Sequence, residues 1–211
     1  YRRAVYVNNI KDAVVKLRAD RSGVYGYSDP NSLPSIVFMF PGQGSQHLGM
    51  GRGLYDTEPL FRSVVNECAE ILLPLVNVDI RDQMYPRSGK ENSAHEYLNQ
   101  TQLAQPVLFT ISYATARLLM DWGIRPAALI GHSVGEYVAA CLAGVFTLKD
   151  CLYILSTRAK LMQSMPSGGM RAVRLSEEET QKRLIPGVCI AAANAPGVTV
   201  VSGPHDVLEA F

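Results

Sequence analysis

Gly131-His132-Ser133-Val134-Gly135 sets a serine between two glycines. A serine hydroxyl acts as a nucleophile when a sharp turn holds it clear of the backbone and a base takes its proton. Such a turn admits only small residues on either side. The bare pattern is also met in glycine-rich turns that do no chemistry. It gains meaning when a strand leads into it and a helix leaves it. His132 is not the base expected here, because neighbouring side chains on a strained turn diverge and a base must come within about 3 Å of the hydroxyl. It reads as a packed, hydrogen-bonded structural residue. Glu136 falls in the first turn of the following helix, where a carboxylate suits the dipole, and reads as structural too.

A second stretch, Pro41-Gly42-Gln43-Gly44-Ser45-Gln46, follows the apolar run Ile36 to Phe40. Glycines on both sides of Gln43 let its backbone approach a ligand. In doubly wound sheets ligands bind beyond the carboxyl ends of the strands, so Gln43 and Ser133 are expected at one edge. One reading is an oxyanion hole made of the Gln43 and Val134 backbone N–H groups. The other is an ordinary strand-to-helix turn, the commoner case for an isolated Gly-Gln-Gly. The loop is not G-x-G-x-x-G and no P-loop lysine follows, which argues against a nucleotide site.

Arg158 is the third candidate. The segment from Thr147 carries Leu148, Cys151, Leu152, Leu155, Ala159 and Met162 as one stripe, with Arg158 at its edge. An arginine turned toward a core needs an anion. That anion is a structural carboxylate, or the side chain snorkels out, or it is a substrate carboxylate held by a bidentate clamp. The helix alone does not choose among these.

The elements around these residues read as α/β. RRAVYV is expected as a strand and is followed by a helix with Ile10, Ala13, Val14 and Leu17 on one face. SGVYGYSDPNSLPS reads as a linker. Ile36 to Phe40 is a continuous apolar strand, as in parallel sheets covered on both faces. A helix with Pro59 in its first turn runs to about Leu73, residues 86–95 form a polar loop, and Thr101 to Trp122 is a helix stopped by Gly123. Pro106 is expected in that helix's first turn. Strand Ala127–Ile130 leads to Ser133, and helix Val134–Ala143 leaves it. Thr147 to Asp150 resembles a capping box and opens a helix to about Met165. After Gly168-Gly169 a smaller unit follows, as strand 170–175, helix 177–184 and strands 188–193 and 198–202, and it breaks off within a helix at Phe211. The expected fold is a parallel-sheet, hydrolase-like α/β body with a smaller, truncated α+β subdomain. Its divisions fall at 1–35, 36–167 and 168–211.

The chain has 211 residues, 47% hydrophobic and 18% charged, with a formal net charge of +1. That balance gives no electrostatic reason for a nucleic acid or anionic membrane partner. No apolar run nears the roughly 20 residues of a membrane helix, and the start lacks the apolar core of a signal peptide. The start also lacks a methionine, so a position inside a larger polypeptide is expected. Cys68, Cys141, Cys151 and Cys189 form no C-x-x-C pair, so neither a metal site nor a redox motif is expected, and a reduced, cytoplasmic protein is the simplest reading.

FPGQGSQHLGMG, QPVLFTISYA, GHSVGEYVAA, TRAKLMQ and NAPGVTVVSGP occur in that order. The series resembles the malonyl-CoA:acyl carrier protein transacylase family, and within it the acyltransferase domains of modular polyketide synthases, from Ile36 to Phe211. The resemblance implies that Ser133 takes the acyl group, that the Gln43 and Val134 N–H groups form the oxyanion hole, and that Arg158 pairs with the free carboxylate of malonyl. Asn194 lies in a recurrent family segment and receives no role. The small unit looks like the family's ferredoxin-like subdomain, and residues 1–35 like the end of a ketosynthase-to-acyltransferase linker.

The implied reaction is ping-pong transfer. Malonyl-CoA is the substrate, no cofactor is bound, and a carrier protein's phosphopantetheine thiol is the acceptor. The implied partners are acyl-CoA, an acyl carrier protein domain and a neighbouring ketosynthase. Val134, branched and apolar, resembles malonyl-type domains. One departure is that the family's catalytic histidine lies beyond the small subdomain's last strand, and His47, His95 and His205 match no family base. The chain by itself is therefore expected to be inactive or nearly so. Two rivals are a hydrolase or thioesterase with the same elbow, and a non-catalytic fragment.

Overall fold

In the computed structural model, which describes residues 2–19, 24–26 and 35–211, the chain opens with a small antiparallel pair. Strands β1 (Arg2–Ala4) and β2 (Val24–Gly26) flank helix α1 (Ile10–Arg18). β1 is shorter than expected. β2 stands inside the stretch expected as a linker, and residues 22–23 and 27–34 of that stretch lie outside the described residues. Asn9 caps α1 by accepting the Asp12 N–H at 2.9 Å. The expected apolar face forms; Ile10 on it is 84% exposed, and no residue of α1 is buried.

The larger unit is built on two parallel strands, β3 (Val37–Phe40) and β4 (Ala128–Gly131), with Phe40 opposite Gly131. Parallel strands need a long crossover. Here it contains α2 (Arg52–Thr57), α3 (Pro59–Val76), α4 (Ile80–Met84), α5 (Glu91–Asn99) and α6 (Thr101–Asp121). Pro59 opens α3 as expected, where its missing N–H is not needed. Helices α7 (Val134–Leu142) and α8 (Leu148–Ser164) follow β4. α6 is the central element and packs against α3, α7 and α8. Val107, Leu108 and Phe109 of α6 meet Phe61, Val65 and Leu72 of α3 and Leu152 and Leu155 of α8 in one core. Each such side chain contributes on the order of 1.5–3 kcal/mol when fully buried.

Three expectations are corrected here. By the described residues the β3–β4 sheet is covered on one face only, for Phe38 and Phe40 are buried while Met39 is 77% exposed. Residues 91–95 belong to a helix and not to a loop, because Ala94 and Leu98, one turn apart, anchor α5 to the core. Two anchors are too few to show a period in sequence. Pro106 is the sixth residue of α6, beyond the first turn. The helix runs through it with the Gln102 carbonyl deprived of its usual donor. One turn on, the Thr110 hydroxyl donates to the Pro106 carbonyl at 2.8 Å.

The smaller unit holds β5 (Gly169–Val173), α9 (Glu177–Gln181), β6 (Cys189–Ala195), β7 (Val198–Gly203) and α10 (His205–Ala210). Its sheet is antiparallel in the order β5-β7-β6. A separate small core joins Val188, Val201 and Leu208. A reciprocal capping box between Ser176 and Glu179 starts α9. An α/β body on a parallel sheet with a smaller α+β unit is the architecture expected. Among the described residues no helix is long and apolar enough to cross a membrane. All four cysteines are free thiols, and burial pushes that of Cys68 up to about 12.

Candidate active site

The β3–β4 register determines where the site lies. Phe40 faces Gly131, so the residues that leave both strands, Pro41 to Gln46 and His132 to Ser133, emerge side by side. The His132 N–H continues the ladder by donating to the Phe40 carbonyl at 3.0 Å. Gly42 lies directly against His132, and a Cβ on it would stand 3.1 Å from the His132 carbonyl oxygen. Gln43 and Ser133 therefore share one edge, as expected.

Ser133 takes φ 53 and ψ −111, outside the wells open to ordinary residues. Such a conformation costs on the order of 1–3 kcal/mol and persists only where its surroundings enforce it. The enforcement is visible on both sides. A Cβ at Gly131 would meet the Gly135 backbone at 2.0 Å, and one at Gly135 would meet the Phe40 carbonyl at 2.4 Å. The turn is closed by the Gly135 N–H donating to the His132 carbonyl at 3.0 Å and the Glu136 N–H to the Ser133 carbonyl at 3.1 Å. The Glu136 carboxylate accepts the Gly131 N–H at 3.0 Å, tying the end of β4 to the start of α7. Glu136 thus has the structural part expected of it. His132 differs from expectation: it is exposed, and its ring lies over Gly42 instead of packing into the core.

Ser133 is exposed at the positive end of α7. Val134, buried, begins that helix, so its N–H has no partner within the helix. In the Gln43 loop, the Gly44 N–H is taken by the Gln46 side chain at 2.8 Å and the Ser45 hydroxyl donates to the Gly42 carbonyl at 3.3 Å. Two backbone amides at adjacent strand ends, beside an exposed serine on a strained turn, are the parts needed to hold an oxyanion.

Arg158 lies on the half-buried edge of α8, and Cys151, Leu152, Leu155 and Ala159 of its stripe are buried as expected. Met162, also assigned to that stripe, is 45% exposed. The Arg158 guanidinium donates to the Gln105 side-chain oxygen at 2.5 Å and sits 5.8 Å from the centre of the Tyr137 ring. Among the described residues no carboxylate stands within 4.0 Å of it. Gln105 in turn donates to the Gln43 side-chain oxygen at 3.2 Å and lies 3.5 Å from the Met162 sulfur. Gln43 donates to the Thr101 hydroxyl at 3.2 Å. Side chains from the loop after β3, from α6 and from α8 thus form one hydrogen-bonded relay, with the ring of Tyr137 from α7 beside it. Gln105 and Tyr137 were not singled out from the sequence. Gln105 opens the segment QPVLFTISYA and Tyr137 lies in GHSVGEYVAA, but neither segment says which side chain it will touch.

The four histidines are all exposed, and among the described residues none hydrogen-bonds to Ser133. His47 and His95 face the Ser45 carbonyl and Asn99, and His205 stands 3.4 Å from the Ser167 hydroxyl. Asn194 lies exposed on β6.

Known proteins resemble this chain over most of its length. The acyl transferase domain family matches residues 37–211. A phenolphthiocerol/phthiocerol polyketide synthase polypeptide of Mycobacterium tuberculosis is 42% identical over 176 residues, which is 83% of this chain and 11% of that protein. The solved acyl transferase domain of ZmaA is 39% identical with a TM-score of 0.88, covering 99% of this chain and 50% of that one. A malonyl CoA-acyl carrier protein transacylase from Clostridium perfringens is 28% identical with a TM-score of 0.71, over 83% of this chain and 55% of that one. The chain thus spans about a tenth of that synthase polypeptide and about half of these solved relatives. It belongs to the acyl transferase domain family, as an acyltransferase domain of the kind carried by modular polyketide synthases.

Proposed function

We propose that this domain loads a malonyl group from malonyl-CoA onto Ser133 and passes it to the phosphopantetheine thiol of an acyl carrier protein. In this reading the Ser133 hydroxyl attacks the thioester carbonyl while a base takes its proton. The oxygen of the tetrahedral intermediate is held by the backbone N–H groups of Gln43 and Val134. The C–S bond breaks, CoA leaves as its thiol after taking up the proton, and an ester on Ser133 remains. The carrier thiol then attacks that ester, a new thioester forms, and Ser133 regains its proton. In this reading the base is a histidine, and among the described residues none hydrogen-bonds to Ser133 in the absence of substrate. A neighbouring ketosynthase would use the loaded carrier.

The observation that carries the malonyl assignment is the state of Arg158. Its guanidinium touches a neutral amide and a ring, with no carboxylate near it among the described residues. A half-buried guanidinium with free donors suits a carboxylate on the substrate. The relative from Clostridium perfringens bears malonyl CoA in its name, which supports the same choice.

The test is intact mass of a polypeptide spanning the whole matched domain, after incubation with malonyl-CoA or acetyl-CoA. A malonyl adduct is expected on the wild type and none on Ser133→Ala. Arg158→Ala should lower the preference for malonyl over acetyl by about tenfold or more. A persistent adduct in Ser133→Ala sinks the nucleophile, and an unchanged preference in Arg158→Ala sinks the clamp.

A further inference from the structure

Two arginines of this domain are held in opposite ways. Arg81 is held by carboxylates, with Asp79 at 2.7 Å and Glu70 at 2.9 Å. Its charge is met within the protein, as suits a structural arginine. Arg158 is held by Gln105, a residue 1% exposed, through a 2.5 Å bond to the amide oxygen. A neutral amide orients a guanidinium without cancelling its charge.

The direction of the whole relay follows from Arg158. A guanidinium has donors only, so the Gln105 oxygen must face it. The Gln105 NH2 then faces the Gln43 oxygen at 3.2 Å, and the Gln43 NH2 faces the Thr101 hydroxyl at 3.2 Å. This order does not depend on how either amide is drawn. One buried side chain therefore fixes both the guanidinium and the loop that carries the Gln43 N–H.

We propose that Gln105 is a positioning and specificity-determining residue, which keeps Arg158 aimed but uncompensated and locks the Gln43 loop to it. The proposal rests on the reading of Arg158 as the clamp for the acyl carboxylate. It adds that the selectivity depends on residue 105 being neutral. A glutamate there would have the same length and the same oxygen against the guanidinium. It would also pair with Arg158 as an ion and take the place of the substrate's carboxylate.

The experiment compares wild type, Gln105→Glu, Gln105→Met and Arg158→Ala in a polypeptide spanning the whole matched domain. It reads kcat and KM for acylation of Ser133 by malonyl-CoA and by acetyl-CoA. Gln105→Glu should bring the malonyl-to-acetyl preference down about tenfold or more, close to that of Arg158→Ala. Gln105→Met, of similar volume and without the amide, keeps the positive charge but leaves it unaimed. It should raise KM for malonyl-CoA several-fold more than KM for acetyl-CoA. If Arg158→Ala loses the preference while Gln105→Glu keeps it within twofold, the proposal is overturned and the clamp stands. If Arg158→Ala keeps the preference, the clamp itself fails. Should Gln105→Glu not fold, equal KM values in Gln105→Met and wild type would overturn the proposal alone.

Discussion

The serine turn and the glutamine relay lie on adjacent elements of one site, yet they are rigid for different reasons. The turn is held by excluded volume. Phe40, Gly131 and Gly135 leave no space for a Cβ, and Ser133 is forced to φ 53. The relay is held by donors and acceptors at 2.5–3.2 Å that join side chains from three elements. Steric walls fail all at once, because backbone cannot move aside cheaply. Hydrogen bonds between side chains fail one at a time, and the groups released find water if they are near the surface.

The largest expected effect comes from the wall. Gly135→Ala sets a methyl 2.4 Å from the Phe40 carbonyl, so β3 and α7 must part. A loss of about 3 kcal/mol or more is expected, read as a lower midpoint in urea unfolding followed by circular dichroism. A loss below about 1 kcal/mol would mean that the turn is softer than its close contacts imply. Next is Ser133→Gly, which removes the side chain from a conformation that glycine alone adopts freely. It should raise stability by about 1 kcal/mol while abolishing the acyl adduct. Equal or lower stability would show that no strain resides at Ser133. The smallest effect is expected in the relay's exposed end. Gln43→Ala cuts two neutral bonds of 3.2 Å and should cost no more than about 1 kcal/mol. A cost equal to that of Gly135→Ala would erase the distinction between the two kinds of rigidity.

The same distinction explains what was legible in the sequence. Gly131, Ser133 and Gly135 lie within five residues, and the strand and helix around them show their own periods, so the turn and the meeting of Gln43 with Ser133 at one edge could be anticipated. The partner of Arg158 could not. It lies 53 residues away, and the bond from Gln105 to Gln43 spans 62. A glutamine beside an apolar run carries no mark of what it will touch. α5 stayed hidden because only Ala94 and Leu98 anchor it. Pro106 misled for the opposite reason, since the core around α6 outweighs the local cost of a proline in mid-helix. The α1 stripe and the run of β3 showed apolar faces correctly, but a face in sequence does not say whether anything lies against it.

The uncovered sheet face affects how unfolding of these 211 residues can be followed. Met39 and Ile130 present bare thioether and aliphatic surface to water on neighbouring strands, 77% and 52% exposed. In a polypeptide of these 211 residues, a solvatochromic dye would find a docking place on the sheet before any unfolding begins. Melting curves taken by dye fluorescence would start bright and flatten, whereas circular dichroism reports the helices directly and is blind to the uncovered sheet face.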